Sequence, residues 1–151
     1  MCGITGVYNF RKRADNEAVK KAIAAMAKRG PDGNGVYLHN HVCLGHARLA
    51  IIDVSDAARQ PFTEPSGRFT IVFNGEFFNY PFYRQQLINQ GVKLVSSSDT
   101  EVLLHLYMLY GTEAFEKING FFAFAIYDHV EESLFLARDR MGIKPLLIFT
   151  D

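Results

Sequence analysis

The sequence has no tryptophan, two cysteines and five prolines among its 151 residues. Two cysteines, Cys2 and Cys43, are too few for a disulfide scaffold and fit a reducing, cytoplasmic setting. Sixteen basic residues balance sixteen acidic ones. That balance removes the attraction expected of a general nucleic-acid or anionic-membrane binder. No apolar run approaches the length that spans a bilayer. The N-terminus carries neither the basic region nor the long apolar region of a secretory signal. Internal repeats and low-complexity linkers are also missing, so the chain reads as one domain over 1–151.

What is present points to a packed core: 48% of residues are hydrophobic and thirteen are Phe. CGITGVYNF reads as a strand. Asp15 is placed to cap a helix with the apolar face Val19, Ala22, Ile23 and Met26, with Lys28 and Arg29 in its last turn and Gly30 ending it. GVYLH and VCLGHARLAIID read as strands, RQPFTEPSG as a loop, and RFTIVFN as a strand ending at a turn-forming Asn74-Gly75. A second helix is expected over Tyr80 to Gln90 and a third from SSDTEVLLHLYMLYG.

FFAFAIYD and SLFLARD are separated by the short polar loop HVEE and read as a hairpin. A hairpin is antiparallel, and a strand with one wet face should alternate apolar and polar residues. FFAFAIY does not alternate, so both its faces must be covered, one by a second sheet and the other by helices. The expected class is α+β, a layered sandwich.

Cys2 sits directly behind the initiator methionine and ahead of Gly3. Removal of Met1 would leave a thiol and a free α-amino group on one residue, the sulfur analogue of an N-terminal Thr–amine pair. An inert terminal cysteine is the alternative. A thiol that attacks an amide needs donors for the developing oxyanion. Asn74 and Gly75 could supply them, or could simply form a hairpin turn. Ser98 and Glu101 match a capping box, which frees Asp99 either to hold a cationic group or to favour the helix dipole. Arg48, between Ala47 and Leu49, offers the planar fork that grips a carboxylate, or else points outward from a half-exposed strand. His39 and His41 flank a polar turn, His46 lies in a strand, and none has structural-zinc spacing. His105 and Cys43 read as packing residues, and Asp32 as a loop residue after Pro31.

The segments MCGITGVYNF, RGPDGNG, GHARLAIID, QPF, FNGEFFNY, SDTEVLLHLYMLYG, NGFFAFAIYD and LARDRMGIKP occur in an order that resembles class II glutamine amidotransferase domains. The similarity is greatest to the N-terminal glutaminase domain of glutamine-hydrolysing asparagine synthetases, enzymes of asparagine biosynthesis. It implies an N-terminal-nucleophile hydrolase fold, a four-layer αββα sandwich of two antiparallel sheets flanked by helices. It also implies an amidohydrolase reaction, glutamine to glutamate and ammonia through a γ-glutamyl thioester. On that resemblance Cys2 is the nucleophile, and Asn74 and Gly75 form the oxyanion hole. Arg48 holds the substrate α-carboxylate and Asp99 its α-ammonium, while Leu49, Ala50, Ile51, Ile52 and Glu76 line the pocket.

Two departures accompany the resemblance. Relatives usually read NGEIYNY where this chain has NGEFFNY, with Phe77, Phe78 and then Pro81. Family domains also continue past GIKPLLIF, so residues 1–151 are expected to be C-terminally incomplete: a truncated fragment, a split subunit or a degenerate product. No phosphate-binding loop is present, so ATP and Mg are expected only in a synthetase domain outside this sequence, and no cofactor or metal within it. The expected partners are L-glutamine and an ammonia-accepting synthetase domain or subunit, with a homodimer possible and neither nucleic acid nor membrane. The alternative is an inactive module, derived from such a domain, that binds glutamine or a partner.

Overall fold

A computed structural model describes residues 1–150. The first sheet has the order β1-β3-β2, built from β1 (Gly3–Tyr8), β2 (Gly33–His39) and β3 (Val42–Arg48). The second has the order β4-β5-β6-β7, from β4 (Phe62–Thr63), β5 (Phe69–Phe77), β6 (Gly120–Asp128) and β7 (Ser133–Arg138). All neighbours are antiparallel. Helix α1 (Asn16–Ala25) covers the first sheet, and α2 (Tyr80–Asn89) and α3 (Asp99–Tyr110) cover the second. Among the described residues, no helix is long and apolar enough to cross a membrane.

Three apolar clusters separate the four layers. Val19 and Ile23 of α1 pack on Cys43 and Ala47. Val42 and Leu44 of β3 meet Val72, Ala125 and Tyr127 between the sheets. Phe122, Phe124 and Ile126 face the other way, against Val102, Leu103 and Leu106 of α3. The unalternating FFAFAIY therefore has a sheet on one face and helices on the other, as its pattern requires. The phenylalanines concentrate on the helical side, where Phe115 lies 5.0 Å from Phe124 and 5.2 Å from Phe135 between ring centroids. Helix α3 is buried from Asp99 through Leu106, which its near-continuous apolar sequence anticipates.

Several boundaries differ from those read in the sequence. Asp15 does cap α1, accepting the Glu17 N–H at 2.9 Å, but the helix closes at Ala25. Lys28 and Arg29 lie in the turn beyond it, where Arg29 N–H bonds the Met26 carbonyl. Asn74-Gly75 is not a turn. Strand β5 runs on to Phe77, and Asn74 and Gly75 pair with Ala123 and Phe122 of β6. That continuous partner overrides the local turn preference. Strand β3 ends at Arg48, so LAIID is loop rather than strand. Ser98 caps α3 as expected, but Glu101 completes only half of the box. Its carboxylate takes the N–H groups of Val95 (2.8 Å) and Ser96 (2.7 Å) instead of that of Ser98.

Candidate active site

At one end of the sandwich the start of β1, the end of β3, the C-terminal part of β5 and the N-terminus of α3 converge on a cleft. Cys2, Arg48, Asn74, Gly75, Glu76 and Asp99 all line it, together with Leu49 to Ile52. These residues are scattered over almost a hundred positions of sequence. Antiparallel pairing collects them, because Gly3 lies opposite Ala47 and β5 runs alongside β6.

The Cys2 thiol is half-buried and donates to the Leu49 carbonyl at 3.4 Å, while the Leu49 N–H points back at Sγ from 3.3 Å. Backbone groups just past β3 thus fix the sulfur at the cleft wall. The Met1 amine donates to the Arg29 carbonyl at 3.0 Å, and Arg29 reaches the Cys2 carbonyl at 3.3 Å. Gly30 lies against the end of β3, where a Cβ would come 2.3 Å from the Ala47 carbonyl carbon. The following residues then clasp the end of β3: the Asp32 N–H bonds the Arg48 carbonyl (3.0 Å), and the Asp32 carboxylate takes the Ala50 N–H (2.9 Å).

Arg48 is 7% exposed, which excludes the outward-pointing alternative. Its Nη2 donates to the carbonyls of Asp53 (2.6 Å) and Ser55 (2.9 Å). Among the described residues its Nε and Nη1 meet no acceptor and no carboxylate pairs with it, so part of the fork stays available to an anion. Asn74 is 6% exposed and its side-chain amide has no hydrogen bond among the described residues. Gly75 must be glycine here, because a Cβ would lie 2.4 Å from the Phe121 carbonyl. Glu76 is half-buried beside it.

Asp99 is the first residue of α3, and its carboxylate accepts the Phe77 N–H at 3.2 Å. Burial pushes its carboxyl up to about 6, with the Glu76 charge adding to the shift and the Phe77 hydrogen bond opposing it. An uncompensated buried carboxylate next to a second acid is suited to a cationic group.

Other cleft residues are not singled out by the sequence reading. His46 is 1% exposed, and among the described residues both its ring nitrogens lack hydrogen bonds. Burial pushes its imidazole down to about 4, aided by the Arg48 charge, so it is neutral at pH 7. The nearby Phe73 backbone opposes the shift by more than the Arg48 charge adds to it, although no hydrogen bond joins ring and backbone. Gln60, Thr100 and Lys144 also line the cleft. Gln60 bridges the Phe73 N–H (2.6 Å) and the Thr100 hydroxyl (3.1 Å). Lys144 lies over the Phe121 ring at 4.6 Å and reaches the Met1 sulfur at 3.0 Å. The order of GHARL hinted at His46, whose position on β3 matches the inward parity of Val42, Leu44 and Arg48.

Two antiparallel sheets between helical layers, with a cysteine just ahead of the first strand, are the architecture of the N-terminal-nucleophile hydrolases. The fold aligns with glutamine phosphoribosylpyrophosphate (PRPP) amidotransferase from B. subtilis at a TM-score of 0.79, with 23% identity, over 96% of this chain and 38% of that one. The family model "Glutamine amidotransferase domain" matches residues 1–151, and the chain belongs to that family. Among its relatives, asparagine synthetase [glutamine-hydrolyzing] 3 of Bacillus subtilis is 40% identical over 96% of this chain. Asparagine synthetase B of Escherichia coli is 36% identical over the full length of this chain. Amidase chry2 of Gibberella zeae is 37% identical over 97%. The chain spans about a quarter of these proteins, at 24%, 27% and 24% of their lengths.

Proposed function

We propose that this chain is the glutaminase unit of an asparagine-synthetase-like enzyme, hydrolysing L-glutamine to glutamate and ammonia. The observation that supports it most is the cleft itself, which holds a thiol, an idle amide, a buried arginine and a buried carboxylate together. An α-amino acid carrying a side-chain amide has complementary groups for all four.

Arg48 receives the substrate α-carboxylate and Asp99 the α-ammonium, while Leu49 to Ile52 and Glu76 wall the pocket. Removal of Met1 leaves Cys2 with a free α-amine, whose ordinary pKa of about 7.7–8.0 suits it to shuttle a proton. The amine takes the thiol proton as sulfur attacks the side-chain amide carbon. The resulting oxyanion accepts hydrogen bonds from Asn74 Nδ2 and the Gly75 N–H. The amine passes its proton to the departing nitrogen, the C–N bond breaks, and ammonia leaves a γ-glutamyl thioester. Water then adds to the thioester carbonyl, giving up a proton to the amine, and that proton returns to sulfur as the C–S bond breaks. Glutamate is released and the thiol restored.

The ammonia is handed to an ATP-dependent synthetase domain or subunit in the cytoplasm, and no ATP, Mg or other cofactor is assigned to residues 1–151. Ammonia release from glutamine, followed for the wild-type chain and Cys2→Ala, tests the reading. Turnover that vanishes with Cys2 supports it. Glutamine binding without turnover in a chain that has lost Met1 would favour the inactive module instead.

A further inference from the structure

The two charge-bearing ligands of the cleft sit on different elements, Arg48 at the end of β3 and Asp99 at the start of α3. Asp53 touches both supports. Its backbone carbonyl accepts Arg48 Nη2 at 2.6 Å. Its carboxylate turns the other way: Oδ1 takes the Ser55 N–H at 2.8 Å, and Oδ2 takes the Ser97 N–H at 2.7 Å. Ser97 directly precedes the capping Ser98 and Asp99. Among the described residues this is the sole hydrogen bond between the loop 49–55 and the segment 96–100. No lysine, arginine or histidine pairs with the Asp53 carboxylate among the described residues, so both oxygens act on backbone geometry rather than charge. Ser55 and Ser97 together hold that carboxyl below its ordinary range, so it is ionised across the neutral region.

We propose that Asp53 is a positioning residue that sets the spacing between the Arg48 guanidinium and the Asp99 carboxylate, and so selects substrates bearing both charges on one carbon. The inference rests on the glutamine reading above. A zwitterionic α-carbon presents its two charges at one fixed separation, so a loop free to drift from α3 satisfies one ligand at the expense of the other. The effect falls on recognition, because Asp53 contacts neither Cys2 nor the oxyanion donors among the described residues.

The test uses Asp53→Asn and Asp53→Ala with three readouts: alkylation of Cys2 by 6-diazo-5-oxo-norleucine, alkylation by iodoacetamide, and hydrolysis of glutamine against its des-amino analogue glutaramate. The expected result is an about tenfold slower reaction with the amino-acid electrophile, while the iodoacetamide rate stays within about twofold. The KM for glutamine rises about tenfold with kcat little changed, and the preference for glutamine over glutaramate shrinks. Equal losses toward both electrophiles, or an unchanged preference, would overturn the proposal and mark Asp53 as merely structural. A wild-type chain that reacts with iodoacetamide but not with the amino-acid electrophile would overturn the glutamine reading itself, and this inference with it.

Discussion

The two ends of the sandwich hold similar side chains put to different use. At the end away from Cys2, Tyr37 meets His129 Nε2 at 2.6 Å and Thr70 meets the same nitrogen at 3.2 Å. His39 lies tilted against His129, 4.8 Å between ring centroids, and reaches the Tyr127 hydroxyl at 3.4 Å. Arg68 grips Asp128 with its fork, at 2.8 to 3.1 Å. There the arginine and aspartate satisfy each other, and the histidine is satisfied by two hydroxyls. At the Cys2 end, among the described residues, the arginine has no carboxylate, the aspartate no cation and the histidine no hydrogen bond. Buried polar groups cost stability unless paired, so a set left unpaired in one place marks capacity reserved for a ligand.

The largest expected break in that contrast is Asn74→Ala. It would remove the proposed oxyanion donor without disturbing any side-chain hydrogen bond among the described residues, and kcat should fall on the order of 10²–10³-fold, measured by ammonia release. Arg48→Lys keeps the charge but loses the fork. It should raise KM for glutamine about 10- to 100-fold while leaving kcat largely unchanged, read from initial rates. Asp99→Asn separates function from stability. Its carboxyl is raised from 3.8 to about 6, so folding favours the protonated form. The stability this lends is full below the unfolded value and is lost as pH rises through about 6. Asp99→Asn should therefore match wild type near pH 3.5 and exceed it by about 1–3 kcal/mol at pH 8 in urea unfolding. The same substitution should weaken glutamine binding, and wild-type KM should climb as pH falls through about 6. Tyr37→Phe at the far end is the smallest effect. It should cost about 0.5–1.5 kcal/mol in the same unfolding assay and leave kcat/KM unaltered.

Much of the fold is legible in the sequence where one physical requirement dominates. The unbroken apolar run of β6 demands two covered faces, and Asp15 and Ser98 announce helix starts because orphan N–H groups need acceptors. Misreadings arise where long-range contacts overrule local preference. Asn74-Gly75 has turn chemistry, yet β6 continues past it. LAIID has strand composition, yet Arg48 draws the Asp53 and Ser55 carbonyls to itself and Asp32 takes the Ala50 N–H, pulling the loop out of the sheet. In the site, Cys2, Arg48, Asn74, Gly75, Glu76 and Asp99 carry readable chemistry and do line one cleft. Gln60, Thr100 and Lys144 were not readable, because their partners lie far away in sequence, and although Asp53 has local partners in Arg48 and Ser55, its bond to Ser97 is equally distant.

The comparison of the two ends comes down to whether the unpaired set recognises glutamine and presents it to Cys2. Intact mass of the chain after incubation with 6-diazo-5-oxo-norleucine asks this directly. Loss of Met1 and a single adduct, mapped to Cys2 and suppressed by excess glutamine, are expected. A chain that has lost Met1 and remains unmodified, or one modified equally with and without glutamine, would contradict that expectation.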